Sequence, residues 1–515
     1  MFKDTIENHI DFTDTYIVNP VYNIRSDIRR TIVTNSRGIS NTLVKDDTIS
    51  TGFSWIWNPI IAIFFSYFDG TFNLGTTIKV LAEDFRMEES EIEKFVLDVV
   101  SLEDKGSVLW ERLSMRVPVP KRFLIKRESD SQTRIFDTDS FIIEKENWDL
   151  SSARLYIPNS IAIMLNNKCY TDCIYCYADK DTKPMTEISC KRVVELIQEA
   201  DKIGVSEVTF NGGDFFLYKY WREVLKEVLK YHYEPYISTK YPLSIEQVHE
   251  LKEIGLKKIQ ISFDSDNPEQ LRKMLNVPQN YHSKMIDTFK YLEEAGIKVD
   301  VKSVITKYNC EVADIEKLIC RLKQYSNISH LSIAPAEASL YKVFDDYKAD
   351  TDKLDKIDSF VRLFHGRISS TMKCGTQGYM TDQFLRSSIE EKKERMTARA
   401  MCSGNFSSIF ILPDGQVGIC EQLYWHPFFI IGDVTDNSIM EVWNSQKAKE
   451  LYMFPQSNFP EDSPCRDCDI FNFCRYQKGV CWRNIFFAYG KDKVFYPDPD
   501  CPYAFKPTLK YYHEI

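Results

Sequence analysis

No stretch of this 515-residue chain reaches the roughly 18–20 consecutive apolar residues that a membrane span needs. The nearest run, Trp55 to Phe68, is interrupted by Asn58 and Pro59 and reads as a core helix. The N-terminus, MFKDTIENHIDFTD, is acidic and has no signal-peptide apolar core, so a cytoplasmic location is expected. Excess positive charge is also missing. The net charge is −10, which opposes bulk attraction to nucleic acid or to an anionic membrane. No internal repeat or low-complexity tract is present. Disorder is excluded as the main state, because 33 Phe, 28 Tyr and 8 Trp supply ample surface to bury. Finally, residues 1–168 contain no cysteine at all.

The 14 cysteines lie beyond that point. In a reducing compartment they do not build a disulfide framework, and metal ligation is their default use. Two thiolate-rich regions stand out, one central and one C-terminal. The central one is C-Y-T-D-C-I-Y-C, with Cys169, Cys173 and Cys176 in one short loop and no fourth Cys or His close by. A structural zinc site usually takes four ligands. Three thiolates suggest instead a cluster with one open iron, since soft thiolates are the usual ligands of iron–sulfur clusters. Zinc stays open as the alternative.

The run Cys169-x3-Cys173-x2-Cys176, with Tyr175 just before the third cysteine, resembles the signature of radical S-adenosylmethionine (SAM) enzymes. The resemblance implies a 4Fe–4S cluster on the three thiolates, with SAM chelating the fourth iron. It further implies that an electron from the reduced cluster cleaves SAM to methionine and a 5′-deoxyadenosyl radical, which abstracts hydrogen from a substrate.

From 156 to 335 strand-like and helix-period segments alternate. The strands are Ser160–Leu165, Glu207–Phe210, Pro235–Ser238, Lys258–Phe263, Lys298–Thr306 and Ile328–Ile333. Gly204, Gly255 and Gly296 sit where helix C-terminal caps belong. Six strands joined by helices predict an α/β fold, a partial (β/α)6 TIM-type barrel, with chemistry at the strand C-terminal ends. The cysteine loop directly follows the first strand. Asn211-Gly212-Gly213-Asp214 follows the second, where glycines admit a close backbone approach and a carboxylate can receive an ammonium group. This resembles the family's glycine-rich motif for the SAM amino group, although the acid there is usually Glu. Ser262 and Asp264 end the fourth strand and suit ribose hydroxyls, with a helix cap as the other reading of Asp264. Lys302, Ser303 and Asn309, around the fifth strand, are further candidates for SAM contacts.

The C-terminal pattern is Cys402-x12-Gly415-x4-Cys420, then Cys465-x2-Cys468-x5-Cys474, then Cys481 and Cys501. It resembles the SPASM extension, the auxiliary-cluster domain of peptide-modifying radical SAM enzymes, although the loop from Cys474 to Cys481 is longer than in the family. By resemblance, Cys465, Cys468, Cys474 and Cys501 hold one auxiliary cluster, and Cys402, Cys420 and Cys481 the other. The second set is one ligand short. Either Cys374 folds in, or the iron is open and can bind a substrate thiolate. Glu421, directly after Cys420, is a candidate catalytic residue that accepts a proton from a substrate; the other reading is a surface acid.

Residues 15–111 form a separate cysteine-free unit. YIVNPVYNIRSD and RRTIVTNS read as strands, Pro59–Tyr67, Thr76–Phe85 and Glu89–Glu103 as helices, and GSVLWERL as a closing strand. This order predicts a winged-helix domain. A DNA reader needs a basic helix, and EESEIEKFVLDVVSLEDK is acidic. An exposed strand edge can instead take up an extended peptide. The arrangement resembles the RiPP recognition element, which binds the leader of a ribosomally synthesised precursor peptide.

The expected domains are 1–111 (winged helix, leader binding), 112–155 (linker), 156–340 (radical SAM barrel), 341–398 (bridging helices) and 399–515 (SPASM). The implied activity is that of a radical SAM peptide maturase forming a thioether or other side-chain crosslink. Its implied cofactors are SAM and three 4Fe–4S clusters. Its implied partners are a precursor peptide and an external electron donor such as flavodoxin or ferredoxin, with no nucleic acid and no membrane. Two alternatives remain: a sulfatase-maturating type of Ser or Cys oxidase forming formylglycine, and a non-enzymatic, zinc-stabilised peptide-binding protein.

Overall fold

The computed structural model describes residues 10–38, 50, 53–102, 106–111, 114–128, 133–180, 182–364, 368–372, 388–399 and 401–508. The chain divides into two compact units, 1–159 and 160–515. Among the described residues no helix is long and apolar enough to cross a membrane.

In the first unit, β1 (Tyr16–Val18), β2 (Tyr22–Ser26), β3 (Thr31–Asn35) and β4 (Ser54–Trp57) precede three helices, α1 (Pro59–Ser66), α2 (Leu74–Phe85) and α3 (Glu89–Val100). The apolar run from Trp55 is therefore a strand and then a helix, not one helix. Asn58 causes the change: its side chain accepts from the Ile60 amide, and Pro59 supplies a first-turn residue that has no N–H to lose. β2, β3 and β4 form an antiparallel meander.

The expected linker differs from expectation. It contributes β6 (Met115–Val119), paired with β5 (Gly106–Trp110), and β7 (Leu124–Lys126), paired with β1. Val117, Val119 and Leu124 are buried, which is why so short and polar a segment holds strands. The core is aromatic: Phe95 stacks on Trp110 with ring centroids 4.6 Å apart, and Trp57, Phe64, Phe65 and Phe123 close around them. Trp57 Nε1 donates to the Pro118 carbonyl at 2.8 Å.

A buried ion pair anchors the end of this unit. Asp27 and Arg30 are both fully buried and meet at 2.9 Å. Asp27 also accepts from the Tyr156 and Ile157 amides at 3.1 and 2.8 Å, and Arg30 donates to the Ser152 and Arg154 carbonyls. Asp27→Ala leaves the Arg30 charge buried without its counter-ion. The expected loss is about 3–5 kcal/mol of stability, read as a lower urea midpoint for an isolated 1–159 transition.

The second unit holds all six expected strands: β8 (Ser160–Ile163), β9 (Glu207–Phe210), β10 (Ser238–Thr239), β11 (Lys258–Ser262), β12 (Lys298–Ile305) and β13 (Ile328–Pro335). Neighbours in sequence are neighbours in space. β8 and β9 are parallel, Phe210 bridges to Ile237, and β10 through β13 pair in parallel order. The helices between them have amphipathic faces, capped for instance by the Ser244 and Gln247 capping box. Gly204, Gly255 and Gly296 all have positive φ at helix ends.

Two strands extend this row beyond expectation. β14 (Ser369–Met372) comes from the segment expected to be purely helical and pairs in parallel with β13. β15 (Ser408–Ile411) comes from the cysteine-rich C-terminal region and pairs in parallel with β8; β16 (Gln416–Gly418) and β17 (Ile430–Asp433) continue from it antiparallel. The cysteine-rich region is thus built onto the edge of the same sheet that carries the central cysteine loop.

Candidate functional site

The three-cysteine loop leaves the end of β8 and is pinned by backbone bonds from Asp172 to Leu275 O (2.8 Å) and from Ile174 to Met274 O (3.0 Å). Cys173 is buried, Cys176 half-buried and Cys169 exposed, all as free thiols. Although the residue as a whole is exposed, desolvation around its sulfur raises the Cys169 thiol to about 12 against the pull of Lys180. Burial likewise raises Cys173, opposed by Lys240. Burial disfavours the charge on Lys180, but the charges of Cys176, Cys169 and Cys173 outweigh it and raise its pKa. Lys240 behaves in the same way under the influence of Asp264 and Cys173. Thiols held this way become thiolates when a metal takes them, since coordination deprotonates them outright.

Tyr175 in the loop donates to Asp264 Oδ2, and Lys240 Nζ lies 3.6 Å from the same oxygen. Asp264 also accepts from the Val304 amide at 2.8 Å. Its carboxylate therefore ties the loop to β12. Ser303 and Asn309 donate to the Asp264 carbonyl at 3.2 and 2.9 Å. The Asn309 side chain is fully buried, and its remaining bonds go to Val304 O and to Thr306. These two residues brace Asp264 through its carbonyl.

The glycine motif wraps the loop's entry. Gly213 N donates to Asn166 O (3.2 Å) and Asp214 N to Lys168 O (2.7 Å). A Cβ on Gly213 would stand 2.4 Å from Asn166 O, and one on Gly212, whose φ is +99°, 2.3 Å from Met164 Cγ. The Asp214 carboxylate accepts from Thr239 Oγ1 at 2.8 Å; burial raises its pKa to about 6, against the Thr239 and Phe216 hydrogen bonds. Ser262 Oγ accepts from Gln260 at 2.9 Å, which leaves its hydroxyl hydrogen to donate elsewhere.

Asn211 Nδ2 donates to Glu421 Oε2 at 2.8 Å, joining positions 210 residues apart. Burial raises the Glu421 pKa, opposed by Asn211 and by Lys302. Lys302 Nζ lies over the Tyr236 ring at 4.9 Å. Glu421 is thus half-buried beside the glycine motif rather than a surface acid. Tyr177, 41% exposed, feels the Glu421 charge most strongly, and this raises its pKa. Tyr424 packs beside Met164 and Cys176, and its buried hydroxyl has no hydrogen-bond partner among the described residues.

The C-terminal cysteines gather as two sets. Cys402, Cys420 and Cys481 line one cavity of about 200 Å³. Burial raises Cys420 and Cys481 to about 12. Cys501 interacts electrostatically with Cys474, Cys465 and Cys468, and burial raises it to about 12. Cys374 lies outside the described residues. Among the described residues, no three His, Cys, Asp or Glu side chains converge tightly enough for a single metal ion. Clusters that take one thiolate per iron need a wider spacing. The free thiols, the adjacent cations and the glycine cradle fit SAM and iron–sulfur clusters. Sequence reasoning missed Lys240, Thr239 and Tyr177; the first two stand at the end of β10, where the rule of strand C-terminal ends could have found them.

Residues 163–321 match the Radical SAM superfamily, and residues 402–469 match SPASM, an iron–sulfur cluster-binding domain. The chain therefore carries a radical SAM domain followed by a SPASM domain. Among curated relatives, it is 29% identical over 302 residues to the sporulation killing factor maturation protein SkfB of Bacillus subtilis, covering 58% of this chain and 67% of that protein. It is 25% identical over 213 residues to the probable GTP 3′,8-cyclase of Methanosarcina mazei, covering 40% of this chain and 64% of the cyclase. In the cyclase of Archaeoglobus fulgidus it spans 39% of that protein's length, at 27% identity over 22% of this chain. The fold resembles that of Streptococcus suis SuiB bound to SAM, with TM-score 0.59, 16% identity, and 94% and 99% of the two chains covered. SuiB bound to precursor peptide SuiA gives the same TM-score at 15% identity, covering 96% and 99%.

Proposed function

We propose that this chain is a radical SAM peptide maturase that acts on a ribosomally synthesised precursor peptide. The observation that carries this reading is the Asn211–Glu421 hydrogen bond. It draws the C-terminal cysteine region against the glycine motif, so both serve one reaction space. The likeness to SkfB, a maturation protein, and the shared fold with SuiB, seen with its precursor peptide, support the same reading.

Cys169, Cys173 and Cys176 hold the cluster that binds SAM. Gly212, Gly213 and Asp214 receive the amino group of SAM, and Ser262 its ribose. SAM on this reduced cluster supplies hydrogen-atom abstraction. Cys465, Cys468, Cys474 and Cys501 hold one auxiliary cluster, and Cys402, Cys420 and Cys481 another, giving three in all. Glu421 takes the proton that the substrate releases; Asn211 orients its carboxylate and Lys302 faces it. Tyr177 and Tyr236 narrow the space around them and limit water. The leader peptide adds as a strand to an edge of the β2–β3–β4 sheet within residues 1–111. The electron comes from a flavodoxin or ferredoxin, and the product is a thioether or other side-chain crosslink.

The test is mass spectrometry of short peptides from small open reading frames neighbouring this gene, after anaerobic incubation with enzyme, SAM and reductant. A loss of about two hydrogens per crosslink is expected: one leaves as a hydrogen atom to the 5′-deoxyadenosyl radical, and the other as a proton to Glu421 with its electron passing to an auxiliary cluster. An unaltered peptide mass alongside active SAM cleavage would refute the maturase reading. Zinc in place of iron in anaerobically purified protein would point to a binding protein.

A further inference from the structure

The two C-terminal cysteine sets meet around one arginine. Arg475 follows Cys474 on a π-helical stretch, Phe473–Lys478, a local form that recurs at functional sites. Its Nη2 donates to Cys465 Sγ at 3.4 Å and to the Tyr496 carbonyl at 3.1 Å. The same residue lines the cavity that Cys402, Cys420 and Cys481 also line. Its Nη1 is buried and has no hydrogen-bond partner among the described residues.

The guanidinium is flanked by two aromatic rings. Its carbon lies 4.8 Å from the Phe459 ring centre and 5.2 Å from that of Trp482. The second arginine on the cavity wall, Arg483, differs in having a carboxylate partner: its Nη2 meets Glu337 at 2.7 Å and donates to the Ala338 carbonyl at 3.2 Å, although its Nε is buried without a hydrogen-bond partner among the described residues. Among the described residues no carboxylate pairs with Arg475. A buried, unpaired N–H on a cation is costly, and its natural complement is an anion. Three cysteine sulfurs share its cavity, a fourth already accepts its other arm, and each becomes an anion when it ligates iron.

We propose that Arg475 is the shared counter-charge of both C-terminal iron–sulfur sites, with one arm on the Cys465 sulfur and the other toward the group held by Cys402, Cys420 and Cys481. This rests on the reading that these cysteines hold clusters. A fixed cation and N–H donors to sulfur stabilise an added electron, so Arg475 raises the reduction potential of both sites. Lysine cannot replace it, because a point charge lacks the planar fork that reaches two partners.

The experiment is an EPR-monitored redox titration, with iron analysis, of full-length Arg475→Met reconstituted anaerobically. The expected result is wild-type iron content, with both C-terminal midpoint potentials moved to more negative values. The SAM-binding cluster, recognised by its spectral change on adding SAM, keeps its potential. Potentials that all stay in place, or a shift in only one C-terminal site, overturn the assignment. Should Arg475→Met lose iron, Arg475→Lys is titrated instead; smaller shifts of the same sign at both sites support the proposal, and none overturns it. Wild-type protein without C-terminal iron overturns the cluster reading itself, an outcome distinct from unmoved potentials in a loaded variant.

Discussion

Replacing Cys169, Cys173 and Cys176 together with alanine abolishes SAM cleavage: 5′-deoxyadenosine release falls to the level seen without enzyme. The cause is local. These three thiols are the sulfur donors of the loop after β8, and the cations beside them, Lys180 and Lys240, respond to their charges. Without thiolates the loop has no soft ligand for iron. The variant keeps the iron of the C-terminal sets, because Cys402, Cys420 and Cys481 line a separate cavity. Chromatography of the nucleoside product together with iron analysis checks both parts. Full SAM cleavage by the triple variant would show that the cofactor binds elsewhere.

Gly213→Ala has the next largest effect. The added Cβ would lie 2.4 Å from Asn166 O and 2.7 Å from Lys168 O, both backbone atoms. Neither can yield, because Asn166 O accepts from Gly213 N and Lys168 O from Asp214 N. The loop must open, and the Asp214 carboxylate moves with it. Overpacking usually costs about 1–3 kcal/mol, and a backbone obstacle belongs at the upper end. SAM affinity is expected to fall about tenfold or more, each tenfold being about 1.4 kcal/mol. Gly212→Ala is milder at the contact itself, since its Cβ meets only the flexible Met164 side chain, although its φ of +99° adds strain. Equilibrium dialysis with SAM ranks the two. Equal affinities for wild type and Gly213→Ala would mean that the glycine motif does not hold the cofactor.

Much of this was legible before any coordinates. The strand and helix alternation from 156 to 335 is local, and all six strands formed in the expected order. The caps at Gly204, Gly255 and Gly296 follow from one residue type and one dihedral. The linker strands, β14 and β15 were not legible. None of them alternates with helices as the six barrel strands do; β7, β14 and β15 pair with strands far off in sequence, and β6 closes a hairpin on β5. The bonding of Asn309 was not legible either: its amide is engaged by Asp264, Val304 and Thr306, which only the packing of the strand ends reveals.

The sequence by itself determined the chemistry available: which thiols exist, how they are spaced, and where glycine permits a tight turn. Those are properties of short segments and need no long-range contact. Only the tertiary structure decided which groups share a space. The meeting of Asn211 with Glu421 across 210 residues, and the position of Arg475 between two cysteine sets, depend on strand pairing and core burial. Those energies belong to the whole sheet and are not written in any one stretch of the chain.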